Sequence, residues 1–300
     1  MSTLYKHSES NARKSYLYIA GFVAFIIAIG WGMSLIYDNV AILYIALIFS
    51  LASGFYSYWN SDKTVLRISR ARPAKKEDYP ELHRLTENLA ISNGLPKPRL
   101  YIINDPQPNA FATGRNPEHG VIGVTTGLLE RLDKNELEAV LAHELGHIGN
   151  NDILLASVVV VLVGTVVLLA DFFFRMAFFS RGGGNRDFRV QLAFIAGAIA
   201  FAIIAPILAQ LMKLAISRRR EYLADATAAL TTRYPEALAS ALEKISKDPR
   251  QLSVANDATA HLYFANPFRG KEQNSWFRKL FLTHPPVEDR IKKIREIDTS

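Results

Sequence analysis

Four stretches of this chain lack the polar–apolar alternation of a water-soluble element. Tyr16 to Ile36 and Val40 to Trp59 contain no charged residue at all. Ile153 to Phe174 contains only Asp171, and Val190 to Ile216 holds Gln191, Pro206, Gln210 and Lys213 inside or near its edges. A helix needs about 20 apolar residues to cross the hydrocarbon core of a bilayer, and buried helices of soluble proteins rarely run that long without a charge. The pattern therefore predicts four transmembrane helices in two hairpins. The first run does not read as a cleavable leader: the second follows after only Asp38 and Asn39, with no small-residue cleavage site between them.

The rest of the chain, 60–152 and 217–300, has the periodicities of a small soluble domain interrupted by the second hairpin. Asp78 to Ser92 places Leu82, Leu85 and Leu89 on one helical face and ends at Asn93-Gly94. Arg99 to Ile103, Ala110 to Thr113 and Val121 to Thr125 read as strands, with Gly114 and Pro117 in the turn between the last two. Leu128 to Leu132 reads as a short helix. Asp133 then caps a long one running through His147. Further helices are predicted at Arg218 to Leu230, Glu236 to Ser246 and Pro286 to Ile297. The fold expected is α+β: mostly helical with a small sheet, plus the membrane helices. It divides into a membrane hairpin (1–59), a first catalytic part (60–152), a second hairpin (153–216) and a second catalytic part (217–300).

Composition fits that division. Apolar residues make up 49% of the 300 positions although 21% are charged, so the two kinds are segregated. The net charge of +7 sits beside the apolar runs, which points to anionic lipid headgroups rather than nucleic acid. Lys6, Arg13 and Lys14 precede the first hairpin and Lys63, Arg67, Arg70, Arg72, Lys75 and Lys76 follow it, against none in its turn. The positive-inside rule places both ends of that hairpin, and the soluble domain, in the cytoplasm of a multi-pass cell-membrane protein. The turn of the second hairpin carries Arg175, Arg181, Arg186 and Arg189, so that hairpin either spans against the rule or sits shallowly. With no cysteine in the chain, disulfides, thiolate ligands and thiol nucleophiles are excluded.

The chemistry concentrates at His143-Glu144-Leu145-Gly146-His147. Histidines four apart on a helix stack on one face and can share one tetrahedral zinc, while the intervening glutamate reaches a metal-bound water as general base. Such a site takes a third protein ligand. Glu221 is the best candidate: the two predicted spans between it and His147 return the chain to the same side of the membrane. Asp225, one turn on from Glu221, is placed to accept the free ring N–H of a zinc-bound histidine. His7, His83, His119 and His261 match no ligand spacing and read as surface or structural residues.

Asn109-Ala110-Phe111-Ala112-Thr113-Gly114, the His143–His147 motif, Arg220-Glu221-Tyr222-Leu223-Ala224-Asp225 and Thr283-His284-Pro285-Pro286 together resemble the HtpX-type membrane zinc proteases, relatives of the type I CAAX prenyl proteases. The resemblance spans nearly the whole chain. It implies a zincin-like catalytic domain facing the cytoplasm and endoproteolysis of membrane-associated or misfolded proteins in quality control and stress response. It further implies Glu221 as third ligand and His284 and Arg290 as residues that steady the oxyanion. Asn109, Ala110, Phe111, Ala112 and Thr113 become the edge strand that receives an extended substrate.

Overall fold

The structure, a computed structural model, describes residues 2–179, 195–197, 199–200, 218–254, 259–268 and 285–297. The predicted fourth span falls almost entirely outside these residues, as does His284. Helices α1 (Ser2–Tyr37) and α2 (Ala41–Ile68) form the first hairpin, and α6 (Asp152–Phe179) follows the motif helix. Among the described residues, three helices are long and apolar enough to cross a membrane: Arg13–Leu35, Ala41–Ile68 and Asp152–Arg175.

Lipid-type packing is visible in α2. Its large side chains Tyr44, Ile45, Ile48, Leu51, Phe55 and Trp59 point outward, while its small residues Ser50, Gly54, Ser57 and Ser61 are buried. Small residues let helix backbones approach where lipid supplies no hydrophobic drive. A Cβ added at Gly30 of α1 would overlap the Cβ of Ala46 in α2. Helix α6 docks on this pair through Leu154, Val158, Leu162 and Val166 against Phe22 and Ile26.

The sequence reading ends the second span at Trp59, but α2 continues unbroken to Ile68, a length of about 42 Å at 1.5 Å per residue. The physical reason lies in its last turns. Val65 and Leu66 are buried in a cluster with Ile103, Phe111, Val121 and Tyr263, so the membrane helix runs directly into the soluble core.

The sheet has four strands: β1 (Arg72–Pro73), β2 (Arg99–Ile103), β3 (Ala110–Thr113) and β4 (Val121–Thr125), in the order β1-β2-β4-β3. Strands β2 and β4 are parallel and the other pairings antiparallel. The two-residue β1, absent from the sequence expectation, carries Pro73 at the sheet edge, where a missing N–H is tolerated. The sheet is covered on both sides, which explains why β4 is buried at every position and mostly apolar. One face, through Leu100, Ile102, Ile122 and Val124, meets the helices α3 (Pro80–Ser92), α5 (Lys134–Gly149) and α8 (Pro235–Ser246). The other, through Ile103, Phe111 and Val121, meets the ends of α2 and α6. The sheet is thus a spacer between membrane helices and motif helix.

Helix α4 (Thr126–Arg131) follows β4. Asp133 then starts α5 with a full capping box: its carboxylate accepts the backbone N–H of Asn135 and Glu136, and Glu136 accepts that of Asp133 at 2.9 Å. Glu136 also accepts Ser240 Oγ at 2.6 Å and Lys244 Nζ at 2.7 Å, tying α5 to α8. Helix α7 (Arg218–Thr232) packs against α5, and α9 (Val287–Arg295) closes the domain against α8 and α7.

Candidate metal centre

Helix α5 is buried along almost its whole length, His143 and Glu144 each being only 1% exposed. Its close neighbour is α7, and the crossing point is Gly146 over Ala224. A Cβ on Gly146 would lie 3.4 Å from the Ala224 Cα, so only the smallest side chains keep the two backbones at this separation. The crossing brings Glu221 and Asp225, one turn apart on α7, to the two histidines.

The ring atoms His143 Nε2 and His147 Nε2 lie 3.1 Å apart, with Glu221 Oε1 3.5 Å from the latter. Ligand atoms of His143, His147 and Glu221 all fall within 4.8 Å of one another. Adjacent ligands of a tetrahedral zinc are separated by about 3.3 Å, so the set has the right spacing. The opposite ring nitrogens explain why the Nε2 atoms are available. His147 Nδ1 donates to Asp152 Oδ2 at 3.1 Å, and His143 Nδ1 lies 3.0 Å from Asp225 Oδ1, off the axis of a straight hydrogen bond. With both protons held on Nδ1, two Nε2 lone pairs face each other, an arrangement that a cation between them relieves.

Charge points the same way. Glu144, Asp152, Glu221 and Asp225 bring four carboxylates into the site against the guanidinium groups of Arg220 and Arg290. Burial pushes the Glu144 carboxyl up to about 8, with the Glu221 charge adding to it against the pull of His147. Burial lowers His143 to about 4 despite Asp225, so its imidazole is the neutral, ligating form at neutral pH. At His147 burial also opposes the charge, but the hydrogen bond to Asp152 and the charges of Glu221, Asp152 and Glu144 outweigh it and raise the ring to about 9. The field at His147 thus holds a positive charge. Glu144 Oε2 is buried without a hydrogen-bond partner among the described residues, while the backbone of Ala112 bonds the same carboxyl.

The sequence-predicted residues are placed as follows. His143, Glu144, His147, Glu221 and Asp225 are brought together. Arg290 is in the same cluster: Nε and Nη2 grip Asp225 at 2.9 and 2.7 Å, and Nη1 bonds the Phe264 carbonyl at 3.1 Å and lies 3.4 Å from Glu221. Only 1% exposed, it backs the carboxylates of Asp225 and Glu221.

Strand β3 is at the sheet edge, as the substrate reading of Asn109 to Thr113 needs, but all five residues are buried. Part of its free edge is taken by the chain itself. Phe264 N–H donates to Ala110 O at 2.8 Å, Tyr263 bridges to Phe111, and the Asn109 amide pairs with both backbone groups of Ala265 at 2.9 and 3.1 Å. The cavity of about 40 Å³ over the site is lined by Ala112, Glu144 and the three candidate ligands, and also by Asp152, Arg220, His261 and Phe264, none of which the sequence reading brought in as site residues. One signal for Asp152 exists: it is the lone acid at the head of an apolar run, five positions after His147.

The model of peptidase family M48 matches residues 76–298, and the chain belongs to that family of metal-dependent peptidases. It is a membrane metalloprotease of the HtpX type, a hydrolase acting on peptide bonds. Among its relatives is the protein named Protease HtpX homolog of Dictyoglomus thermophilum, 43% identical over 295 residues, which cover 98% of this chain and 94% of that one. A protein of the same name from Pyrococcus furiosus is 44% identical over 282 residues, 92% of this chain and 93% of that one. Among solved structures, the crystal structure of S. mikatae Ste24p matches with a TM-score of 0.49 at 17% identity, over 98% of this chain and 67% of that one.

Proposed function

We propose that the protein is a zinc-dependent endopeptidase with four spans and a zincin-like catalytic domain at the cytoplasmic membrane surface, cleaving membrane-associated or misfolded proteins in quality control and stress response. The observation that carries this reading is the convergence of His143 Nε2, His147 Nε2 and a Glu221 oxygen beside the unpartnered Glu144 Oε2. These three side chains would hold the metal. Two imidazoles and a carboxylate favour zinc over harder cations. Bound there, zinc supplies a Lewis acid that polarises the scissile carbonyl and activates water.

The remaining steps belong to the chain's own residues. Glu144 takes the proton of the attacking water on its free oxygen and delivers it to the leaving amine. Burial serves that task, since it raises the basicity of the carboxylate that accepts the proton. Asp225 holds His143 in the tautomer that presents Nε2, and Arg290 holds Asp225 and Glu221. His284 remains the residue proposed to steady the oxyanion. An extended substrate is proposed to add along β3, which requires the Tyr263–Phe264 segment to leave the Ala110–Phe111 edge. Support for the fourth span comes from chain connection. Asp152 opens α6 and Arg220 sits in α7, 3.4 Å away, which supports an even number of crossings between them.

The test is metal content and casein cleavage of the purified full-length protein beside Glu144→Gln and Glu221→Ala. Glu144→Gln is expected to keep zinc and lose at least about 100-fold in kcat, the low end of a general base's contribution, and Glu221→Ala to lose both. Cleavage by the metal-loaded Glu144→Gln protein would overturn the role of Glu144. Absence of zinc from the wild type would overturn the metal centre.

A further inference from the structure

Both candidate imidazole ligands are backed by an aspartate that is in turn held by an arginine, but the two triplets differ in origin. His143–Asp225–Arg290 is assembled inside the soluble domain and is dry, its side chains being 1–3% exposed. His147–Asp152–Arg220 is looser, at 3.1 and 3.4 Å with side chains 9–16% exposed, and comes from elsewhere. Asp152 is the first residue of the membrane helix α6, and Arg220 lies in the first turn of α7, which the chain enters on leaving the second apolar hairpin. The junction is built by a turn. Helix α5 ends at Gly149, Asn151 adopts φ +54°, a left-handed conformation that asparagine tolerates well, and α6 starts immediately, swinging Asp152 back over His147. The next residues of α6 on that side, Ile153 and Ala156, line the same cavity.

We infer that Asp152, clamped by Arg220, is the positioning residue that fixes the tautomer and aim of His147, so that the two ends of the second hairpin complete the metal centre. This rests on the reading of His147 as a ligand. A histidine without a partner for its second nitrogen can turn, and can carry its proton on either nitrogen. A carboxylate on Nδ1 removes both freedoms and raises the basicity of Nε2. Arg220 keeps Asp152 in place and compensates its charge where water is scarce. Because Asp152 and Arg220 act in series on one ring, their effects are expected to be non-additive.

The experiment uses the full-length protein in detergent, wild type beside Asp152→Asn, Arg220→Gln and the double variant. Zinc affinity is read by competition with a chromophoric chelator, and ligand geometry by the visible spectrum after loading with cobalt(II). Asp152→Asn is expected to weaken zinc about 10–100-fold, the usual effect of removing such a partner. Arg220→Gln should weaken it several-fold, and the double variant no more than Asp152→Asn. The cobalt bands should shift in each. Wild-type affinity and an unshifted spectrum in Asp152→Asn would overturn the inference, including where the variant melts earlier, because a purely structural aspartate would change melting alone. If Asp152→Asn fails to fold, Arg220→Gln decides on the same two readouts. A wild type that binds no zinc overturns the ligand reading itself, a result distinguishable from equal binding by wild type and variant.

Discussion

The charge chemistry of single residues explains why so polar a cluster tolerates burial. Asp225 is 2% exposed and Glu221 3%, and each has a guanidinium nitrogen of Arg290 within 3.4 Å. The Asp225 carboxyl stays below its usual range: burial raises it, but the Arg290 charge and the contact with His143 outweigh that penalty. Removing Arg290 strands two buried carboxylates. Arg290→Ala is therefore expected to cost about 3–5 kcal/mol of stability, read as a lower melting temperature of the metal-free protein. Arg290→Lys should recover little, because an ammonium cannot make the paired contact with Asp225 and also reach the Phe264 carbonyl. If Arg290 faced the oxyanion instead, Arg290→Ala would lower kcat and leave melting unchanged. The residues legible in the sequence were those tied to a local pattern or to chain topology: His143 and His147 by their spacing with Glu144 between them, Glu221 by the return of the chain, and Asp225 by lying one turn on from it. Asp152 and Arg220 escaped because no periodicity links them to His147. They meet it through the left-handed turn at Asn151 and through the contact of α7 with the start of α6.

At the level of elements, the site is a product of two helices crossing at a glycine. Strand and helix positions followed from the chain pattern, since β2, β3 and β4 and the capped start of α5 lie where the alternation, the turn residues and Asp133 put them. What the pattern does not carry is the distance between elements, which is set by side-chain volume at a contact point. At Gly146 that distance is short, and a methyl group there would sit in ordinary contact with Ala224 while anything larger would not. Gly146→Ala is expected to leave zinc affinity within a few-fold of wild type. Gly146→Leu should separate α7 from α5 and carry Glu221 out of reach, giving loss of bound zinc with the α-helical circular dichroism retained. Equal zinc content in the two variants would show that Glu221 is not delivered by this crossing. The same dependence on volume accounts for α2, whose apolar run ends at Trp59 while buried Val65 and Leu66 carry the helix on.

At the scale of the molecule, the candidate metal centre is built directly onto the long apolar helices rather than joined to them by a linker. Helix α2 passes from the lipid-type packing of Ser50 and Gly54 straight into the sheet, and α6 starts at a residue that touches His147. The proposed side of the membrane rests on charge. Between α1 and α2 only Asp38, Asn39 and Val40 intervene, whereas cations flank the hairpin at both of its other ends. Since the chain contains no cysteine, single cysteines report this arrangement without background. Asn39→Cys in the hairpin turn and Lys134→Cys at the start of α5 are both exposed positions. In intact cells a membrane-impermeant maleimide is expected to label the cysteine at position 39 and to reach that at position 134 only after permeabilisation. The reverse pattern would place the metal centre outside the cell, and equal labelling of both in intact cells would mean that α1 and α2 do not separate the two positions by a bilayer. Labelling as expected puts His143, His147 and Glu221 on the cytoplasmic side of the bilayer, so that a peptide reaches Glu144 from the cytoplasm.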